Sequence, residues 1–290
     1  MASVTSEHPI KWAIVTGGSR GLGFETARGL LGAGYRVVLV AKDEARLRGA
    51  AERLNQEFGS APDESTSTLS SSADSTSTDS TDAMRSDEHA ENQLVFTHSI
   101  DFEAKTPAAL AAVQESARAI LSTYQPTWGV PSVVVIAHGV MSAKMSKTLR
   151  TDVDEWRRVM SINLDAVFAL VNVFGTVMTE ARSGRVIIYS ACLGRMSGPG
   201  NAGGLAPYRI SKSGVNAMVR NLAHETGHGS RGFLIDAVCP NHSRTDMGGP
   251  DAPRSAEEGA ECAVWLATRP FEPSIDQTGL LWEDREVVPW

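Results

Sequence analysis

The chain has 290 residues, of which 42% are hydrophobic and 21% are charged, the composition of a globular protein with a sizeable apolar core. Its net charge of -7 argues against a general nucleic-acid-binding surface, which would be basic. No apolar run reaches the roughly 18 residues that cross a bilayer, and the three cysteines lack metal-binding spacing, so we expect a soluble cytoplasmic protein without a membrane, nucleic-acid or metal partner.

Short apolar runs alternate with helical patterns along the chain. The run WAIVTGG at residues 12–18 precedes the helical pattern FETARGLLGAGY, and the run RVVLVAK precedes DEARLRGAAERLNQEF. Later runs read QLVFTHSID, SVVVIAHG, RVIIYSA and FLIDAVCP. Because each run is apolar throughout, the pattern indicates a parallel sheet covered by helices on both faces. We predict an α/β fold of the Rossmann type, a doubly wound parallel sheet in a single domain over residues 1–290.

Residues 60–92 break this alternation. They are rich in Ser, Thr and Asp and contain almost no apolar side chains. Such a segment cannot bury enough surface to order itself. We predict a disordered insertion between the second helix and the third strand, and we favour a tolerated insertion over a regulatory or phosphorylated one.

The first strand runs into a glycine-rich turn, TGGSRGLG, at residues 16–23. Glycines permit a tight turn and let the backbone approach a pyrophosphate. The N-terminus of the following helix supplies free N–H groups and a partial positive charge for that anion. The spacing T-G-x-x-x-G-x-G between a strand and a helix therefore predicts a dinucleotide site.

The end of the second strand indicates which dinucleotide binds. An acidic residue there would hydrogen-bond the ribose hydroxyls of NAD, but this strand ends with Lys42 before Asp43, and Arg20 lies in the glycine turn. Two cations near the adenosine ribose favour a 2′-phosphate, so we predict NADP(H). In the alternative interpretation both cations are solvated surface charges and Asp43 binds an unmodified ribose.

Further motifs follow in order: Asp101-Phe102 after the third strand, SINLDAVF at residues 161–168, YRISK at 208–212 and VCPNHSRTDM at 238–247. With the glycine turn they resemble the short-chain dehydrogenase/reductase family over nearly the whole chain, and the tail after Arg244 resembles its carbonyl-reductase branch. The resemblance implies a nicotinamide cofactor and hydride exchange with an alcohol or carbonyl carbon. The cofactor contacts that we expect are Gly17, Ser19, Arg20, Gly21, Leu22, Gly23, Lys42, Asp101, Phe102, Gly139, Tyr208, Lys212 and Thr245.

Tyr208 and Lys212 are four residues apart, which on a helix places both side chains on one face. A phenol there can give a proton to a carbonyl oxygen as hydride reaches the carbon. We expect the lysine ammonium to favour the phenolate and so to lower the pKa of the tyrosine. The resemblance also implies that Lys212 holds the nicotinamide ribose and that Asn163 supports a water relay to it; the alternative for Asn163 is a helix-surface amide.

The fifth strand departs from the family pattern. Gly184-Arg185 and Gly194 fix its register, which puts Ser190 on the first of two family serines and Ala191 on the second, usually catalytic one. Adjacent strand residues point to opposite faces, so Ser190 can orient the substrate oxygen only if a bulge or an early strand end rotates it inward. We keep Ser190 as a candidate catalytic residue on that condition.

The fourth strand also departs, because the family motif Asn-Asn-Ala-Gly is here Ile136-Ala137-His138-Gly139. His138 would end close to Ala191, and its imidazole could donate the missing hydrogen bond; the alternative is a histidine packed in the core or bonded to backbone.

The sequence thus predicts an NADPH-dependent reductase of small-molecule carbonyl compounds, with residues 246–259 as a short substrate loop. The alternative is an NADP(H)-binding regulatory or scaffold protein of the same fold. Monomeric and homo-oligomeric states both stay open.

Overall fold

The structure, a computed structural model, describes residues 10–59, 93–143, 146–198 and 203–290. Within these ranges one sheet of eight strands has the order β3-β2-β1-β4-β5-β6-β7-β8. Neighbouring strands are parallel throughout except for the antiparallel pair β7 and β8 at one edge. The strands are β1 (Trp12–Thr16), β2 (Arg36–Ala41), β3 (Val95–Ser99), β4 (Val133–Ile136), β5 (Arg185–Tyr189), β6 (Leu234–Val238), β7 (Leu281–Glu283) and β8 (Glu286–Val288).

Helices cover both faces of this sheet. The helices are α1 (Gly21–Gly32), α2 (Glu44–Phe58), α3 (Pro107–Trp128), α4 (Val153–Met160), α5 (Ala166–Glu180), α6 (Ala206–Glu225) and α7 (Ala256–Thr268). Apolar side chains of α3, α5 and α6 pack on one face, and those of α1, α2 and α7 pack on the other. Successive strand residues such as Ile14 and Val15 enter opposite core layers, which is why the strands are apolar at every position. The predicted doubly wound α/β fold is confirmed.

Residues Val153–Glu180 form one continuous helical rod, in which a π-type turn at Ser161–Asp165 joins α4 to α5. Among the described helices, this rod alone is long and apolar enough, by length and composition, to cross a membrane. No apolar run of such a length is predicted from the sequence. Leu170, Phe174 and Met178 are buried in the layer under the sheet. Packing in the protein core therefore accounts for the apolar character of the rod.

The sequence predicts two loops, an insertion and a substrate loop, and the structure describes only the second of them. The insertion predicted at residues 60–92 lies outside the described residues. The substrate loop predicted at 246–259 is described, but α7 already begins at Ala256. Ser255 caps this helix by accepting a hydrogen bond from the Glu258 backbone while the Glu258 carboxylate accepts one from the Ser255 backbone. The predicted loop thus ends at Ser255, and its last four residues form the first turn of α7.

Candidate active site

The glycine turn between β1 and α1 brings its backbone against the end of β4. Gly17 has φ of +66°, and a Cβ there would lie 2.9 Å from the His138 backbone nitrogen. Gly21 also has a positive φ, and a Cβ there would lie 3.1 Å from Thr245 Cγ2. A larger residue at Gly17 would therefore meet both backbone strain and a steric clash. The turn leaves the N-terminus of α1 open to a groove at the carboxyl ends of the strands.

This groove has a volume of about 480 Å³, within the usual range for a small-molecule or cofactor site. It extends from the glycine turn past the ends of β2, β3 and β4 to the segment that follows β6. The predicted cofactor contacts that line it are Gly17, Ser19, Arg20, Gly21, Leu22, Gly23, Lys42, Asp101, Phe102, Gly139 and Thr245. The other two predicted contacts, Tyr208 and Lys212, come from α6 and do not line the groove, although Lys212 Nζ lies next to Gly139, which does.

Three cations line the part of the groove that follows β2. Lys42 Nζ lies 2.7 Å from Asp101 Oδ2, and this hydrogen bond raises the pKa of Lys42. Arg20 pairs with Asp246 across the groove. Arg46, which the sequence analysis missed, also lines the groove. Asp43 caps α2 by accepting a hydrogen bond from the Arg46 backbone, and this cap places Arg46 in the first turn of the helix. A capping residue directly after Lys42 is therefore the sequence signal that could have identified Arg46.

His138 is a mostly buried residue in the wall of the groove, and both of its ring nitrogens are engaged. Nε2 lies 3.2 Å from the Ile162 carbonyl oxygen, which can only accept, so Nε2 carries the hydrogen. Nδ1 then accepts from the Thr16 hydroxyl at 2.8 Å. Burial and the nearby Lys212 charge lower the pKa of His138 to about 3, which keeps the imidazole neutral. The imidazole therefore has no free donor for a substrate oxygen, and the hypothesis that it replaces the missing serine is wrong.

The same imidazole stacks on Phe102, with ring centroids 3.8 Å apart and planes within 11°. Since Phe102 lines the groove, His138 holds part of the groove wall in place. The contact could not be predicted from the sequence, because Phe102 follows β3 whereas His138 follows β4.

Tyr208 and Lys212 are both buried on one face of α6, as the four-residue spacing predicts. Lys212 Nζ donates a hydrogen bond to the Tyr189 carbonyl at 2.6 Å. Burial lowers the pKa of Lys212 to about 8. A Cβ built on Gly139 would lie 3.7 Å from Lys212 Nζ, so Gly139 separates the ammonium from the groove. The structure therefore brings Lys212 next to Gly139 and keeps Tyr208 on the same face of α6.

The expected lowering of the Tyr208 pKa is not observed. Burial, followed by the nearby Cys239 and Cys192, raises the pKa of the phenol above its ordinary value. The physical reason is that desolvation disfavours a phenolate, while the Lys212 ammonium is directed to the Tyr189 carbonyl. Tyr208 is accordingly a protonated phenol, the form that can act as an acid.

Asn163 lies in the π-type turn and is completely buried, which excludes the alternative of a surface amide. Its Oδ1 accepts from the Val140 backbone nitrogen at 2.8 Å, and its Nδ2 donates to the Val140 carbonyl at 2.9 Å and to Ser211 Oγ at 3.2 Å. The extra residue of a π-type turn redirects side chains and is frequent at functional sites. Here it aims an amide at the segment after β4 and fixes Gly139 beside Lys212. The predicted water relay stays a prediction.

Ser190 does not point toward Tyr208, which corrects its assignment as the oxygen-orienting group. Its Oγ donates to Asn216 Oδ1 at 2.5 Å and lies 3.4 Å from the Lys212 carbonyl oxygen. Its backbone nitrogen donates to the Val238 carbonyl, so the ladder to β6 continues without a bulge. Ala191, in extended conformation, instead packs with Tyr208 and Val159. The position that faces the phenol is therefore occupied by a methyl group.

Comparison with known proteins assigns the two halves of the chain to related families. Residues 11–95 match the family model of short chain dehydrogenase, and residues 101–265 match the model described as Enoyl-(Acyl carrier protein) reductase. The second match alone covers more than half of the chain. The two models together contain every groove-lining residue named above.

One curated relative aligns over nearly the whole chain, and another aligns over about half of it. Carbonyl reductase [NADPH] 1 of Mus musculus is 28% identical over 306 residues, which cover 99% of this chain and 100% of that protein. The 3-oxoacyl-[acyl-carrier-protein] reductase FabG of Pseudomonas aeruginosa is 35% identical over 144 residues, 49% of this chain and 55% of that protein. The alignment to the mouse protein spans both the groove and the helix that carries Tyr208.

Solved structures show the same fold. A short chain dehydrogenase of Salmonella enterica serovar Typhi superimposes with a TM-score of 0.71 at 19% identity, over 95% of this chain and 96% of that one. One of Escherichia coli CFT073, solved in complex with NADPH, has a TM-score of 0.70 at 20% identity, over 94% and 95% of the two chains. Both superpositions cover nearly the whole of each chain.

Proposed function

The chain belongs to the short-chain dehydrogenase/reductase family of oxidoreductases, and from this premise we propose that it reduces an aldehyde or ketone to an alcohol by hydride transfer from NADPH. The observation that carries the proposal is the position of Tyr208 and Lys212. Both are buried on one face of α6. Lys212 Nζ lies next to Gly139, and the cluster that contains Tyr208 packs against Val140; Gly139 and Val140 both line the groove that begins at the glycine turn. A proton donor thus lies directly behind the wall of that groove.

The groove fits a dinucleotide. Gly17 leaves no room for a side chain between the turn and β4, so a pyrophosphate can approach the backbone and the N-terminus of α1. Lys42, Arg46 and Arg20 supply the positive charge that a 2′-phosphate requires. The name of the mouse relative, Carbonyl reductase [NADPH] 1, supports the same cofactor.

When bound, NADPH supplies the hydride. Tyr208 gives its phenolic proton to the carbonyl oxygen, and its raised pKa keeps that proton in place until the oxygen becomes basic. Lys212, held by the Tyr189 carbonyl, stabilises the phenolate that remains. Ala191 donates no hydrogen bond, so the developing charge on the oxygen depends on Tyr208 to a greater extent than in a site with the serine.

The surroundings of Tyr208 favour an apolar substrate. Val140, Met141, Leu193 and Leu205 pack around the cluster of Val159, Ala191 and Tyr208. A compact ketone, aromatic aldehyde or quinone fits such a wall better than a charged sugar does. The free thiols at Cys192, Cys239 and Cys262 suit a reducing compartment, and we propose the cytoplasm.

The direct test is NADPH oxidation by the purified chain in the presence of aldehydes, ketones and quinones. We expect turnover of at least one apolar carbonyl compound, with the alcohol as product. Tight NADPH binding without turnover of any member of the panel would contradict the proposal and favour a regulatory or scaffold protein. The observation in favour of that second candidate is the methyl group of Ala191 in place of a hydrogen-bond donor.

The cofactor preference makes a separate prediction. Replacing Arg46 with alanine is expected to raise KM for NADPH about tenfold and to leave KM for NADH unchanged, because one charge-assisted hydrogen bond is lost. Arg48→Ala is the matched control, since Arg48 pairs with Glu44 on the same helix and does not line the groove. Equal changes in both KM values, or none, would contradict the assignment of Arg46 to the 2′-phosphate.

Ser190 provides a further prediction. Ser190→Ala is expected to lower the free energy of unfolding by about 1–3 kcal/mol, since the buried Asn216 loses its donor. Its kcat is expected to stay within about twofold, because the hydroxyl does not face Tyr208. Urea denaturation and steady-state kinetics on the same preparation separate the two effects. A large loss of kcat with unchanged stability would show that Ser190 contacts substrate.

A further inference from the structure

Two cysteines from different parts of the chain meet beside Tyr208. Cys192 lies in the short turn that follows β5, and Cys239 follows directly after β6, which pairs with β5. The Cys192 backbone nitrogen is 3.0 Å from Cys239 Sγ. Since an N–Cα bond adds only about 1.5 Å, the Cys192 Cα is within about 4.5 Å of that sulfur. The two thiols also share a hydrogen bond, so the sulfurs lie within reach of each other across the paired strands.

We propose that Cys192 and Cys239 are a peroxide-oxidised thiol pair, which forms an intramolecular disulfide next to the catalytic tyrosine. The site is independent of carbonyl reduction, because it requires no cofactor and no turnover. It joins the turn after β5 to the end of β6, the two segments that border Tyr208.

The two thiols have different environments, which assigns their roles. Cys192 is half-buried, whereas Cys239 is 2% exposed, so a peroxide reaches Cys192 first. The hydrogen bond from the Cys239 thiol lowers the pKa of Cys192 to about 6, and Arg195 acts in the same direction. A thiolate is the nucleophile in such oxidations, and half-exposed acidic thiols are the reactive ones. Cys192 is therefore the attacking thiol, and Cys239 resolves the product.

Glu283 on β7 completes the site. One of its carboxylate oxygens, Oε2, is buried without a hydrogen-bond partner among the described residues. An unpaired buried oxygen has a free-energy cost, so its presence in a folded protein points to a functional role. The hydrogen bond to Cys192, burial and the Glu283 carboxylate together raise the pKa of Cys239. The carboxylate is thus placed to accept the Cys239 proton at the moment when that thiol must become a nucleophile.

The chemistry balances in two steps. The Cys192 thiolate attacks one oxygen of hydrogen peroxide, the O–O bond breaks, and a sulfenic acid and hydroxide form; the hydroxide takes up a proton from solvent to give water. Cys239 then loses its proton to Glu283 and attacks the Cys192 sulfur. The S–O bond breaks as the S–S bond forms, and the leaving hydroxide takes the proton from Glu283 to give a second water.

The test is thiol counting by intact mass after peroxide treatment, quenching, unfolding and alkylation. Before oxidation the wild-type chain should take up three alkyl groups, one for each free cysteine. After oxidation it should take up one, at Cys262, with a peptide link between Cys192 and Cys239 that dithiothreitol reverses. Cys262→Ser is the matched control, because Cys262 lies in α7 away from the pair, and this variant should still form the link.

Single variants distinguish a thiol pair from one reactive cysteine. Cys239→Ser should accumulate a sulfenic acid at Cys192 that dimedone traps, and Cys192→Ser should keep both remaining thiols. The proposal is overturned if oxidised wild-type protein retains all three thiols while Cys239→Ser is oxidised at Cys192. It is also overturned if the link is intermolecular on a non-reducing gel. Either result leaves the proposed reductase activity untouched, since that activity is measured without peroxide.

The role of Glu283 is tested by the rate. Glu283→Gln should slow disulfide formation about tenfold, whereas sulfenic acid formation at Cys192 should not slow, because Glu283 raises the pKa of Cys192 and its loss favours the thiolate. Glu286→Gln, on the exposed strand of the same hairpin, is the control. Equal rates in the two variants would remove Glu283 from the site.

Discussion

Tyr208→Phe is expected to lower kcat/KM for carbonyl reduction about 10³-fold, within the usual range for a positioned acid. The phenylalanine keeps the buried ring in the cluster with Val159 and Ala191 and removes only the hydroxyl. Neither His138 nor Ser190 replaces the lost proton, since His138 is neutral with both ring nitrogens engaged and Ser190 is bonded to Asn216. The dissociation constant for NADPH, measured by fluorescence, should change by less than about threefold.

Tyr124→Phe is the matched control, because it deletes a phenolic hydroxyl in the aromatic cluster with Trp12 and Trp128, on the far side of the fold. Its kcat/KM should equal that of the wild-type chain. Retention of more than a tenth of the activity by Tyr208→Phe would mean that another group supplies the proton and that the catalytic assignment is incorrect.

Ala191→Ser is expected to raise kcat/KM about 10²-fold, the reverse of the loss that follows removal of one oxyanion donor. The backbone of Ala191 is extended and its methyl group packs with Tyr208. A serine adds one oxygen at the position where the substrate oxygen must approach the phenol. This gain would show that the fold retains the geometry of a site with the family serine and that the natural sequence lacks only this donor.

The double variant Tyr208→Phe/Ala191→Ser provides the check, because a restored donor cannot replace a missing acid. We expect its activity to stay near that of Tyr208→Phe. An Ala191→Ser chain with unchanged activity would indicate that the substrate oxygen takes its second hydrogen bond from elsewhere, and a loss of activity would indicate that the extra atom displaces the substrate.

Much of this architecture could be predicted from the sequence. Continuous apolar runs identified the strands of the parallel sheet, and the glycine turn identified the groove beside α1. The register between Gly184 and Gly194 correctly predicted that Ser190 and Ala191 face opposite ways. These inferences rely on the spacing of residues along the chain, which does not depend on contacts with distant segments.

The failures share a different cause. The Thr16–His138 hydrogen bond and the stacking of His138 on Phe102 join residues at or just beyond the ends of three separate strands. The raised pKa of Tyr208 reflects how deeply α6 is buried and where the Lys212 ammonium points. Arg46 was missed because its place beside Lys42 depends on the cap at Asp43. Contacts between distant segments and the solvation of a single group leave no periodic signal in the sequence.

The ion pairs of Lys42 with Asp101 and of Arg20 with Asp246 have a consequence for how affinity depends on ionic strength. When cations without a carboxylate partner bind a phosphate, the attraction adds directly to the affinity and weakens as added salt screens the charges. Here each cation already has a carboxylate partner, so an incoming 2′-phosphate exchanges one ion pair for another. Added salt weakens the pairs before and after the exchange alike. The affinity for NADPH should therefore vary little between dilute and physiological salt, and the choice between the two dinucleotides should survive changes in the ionic composition of the cell.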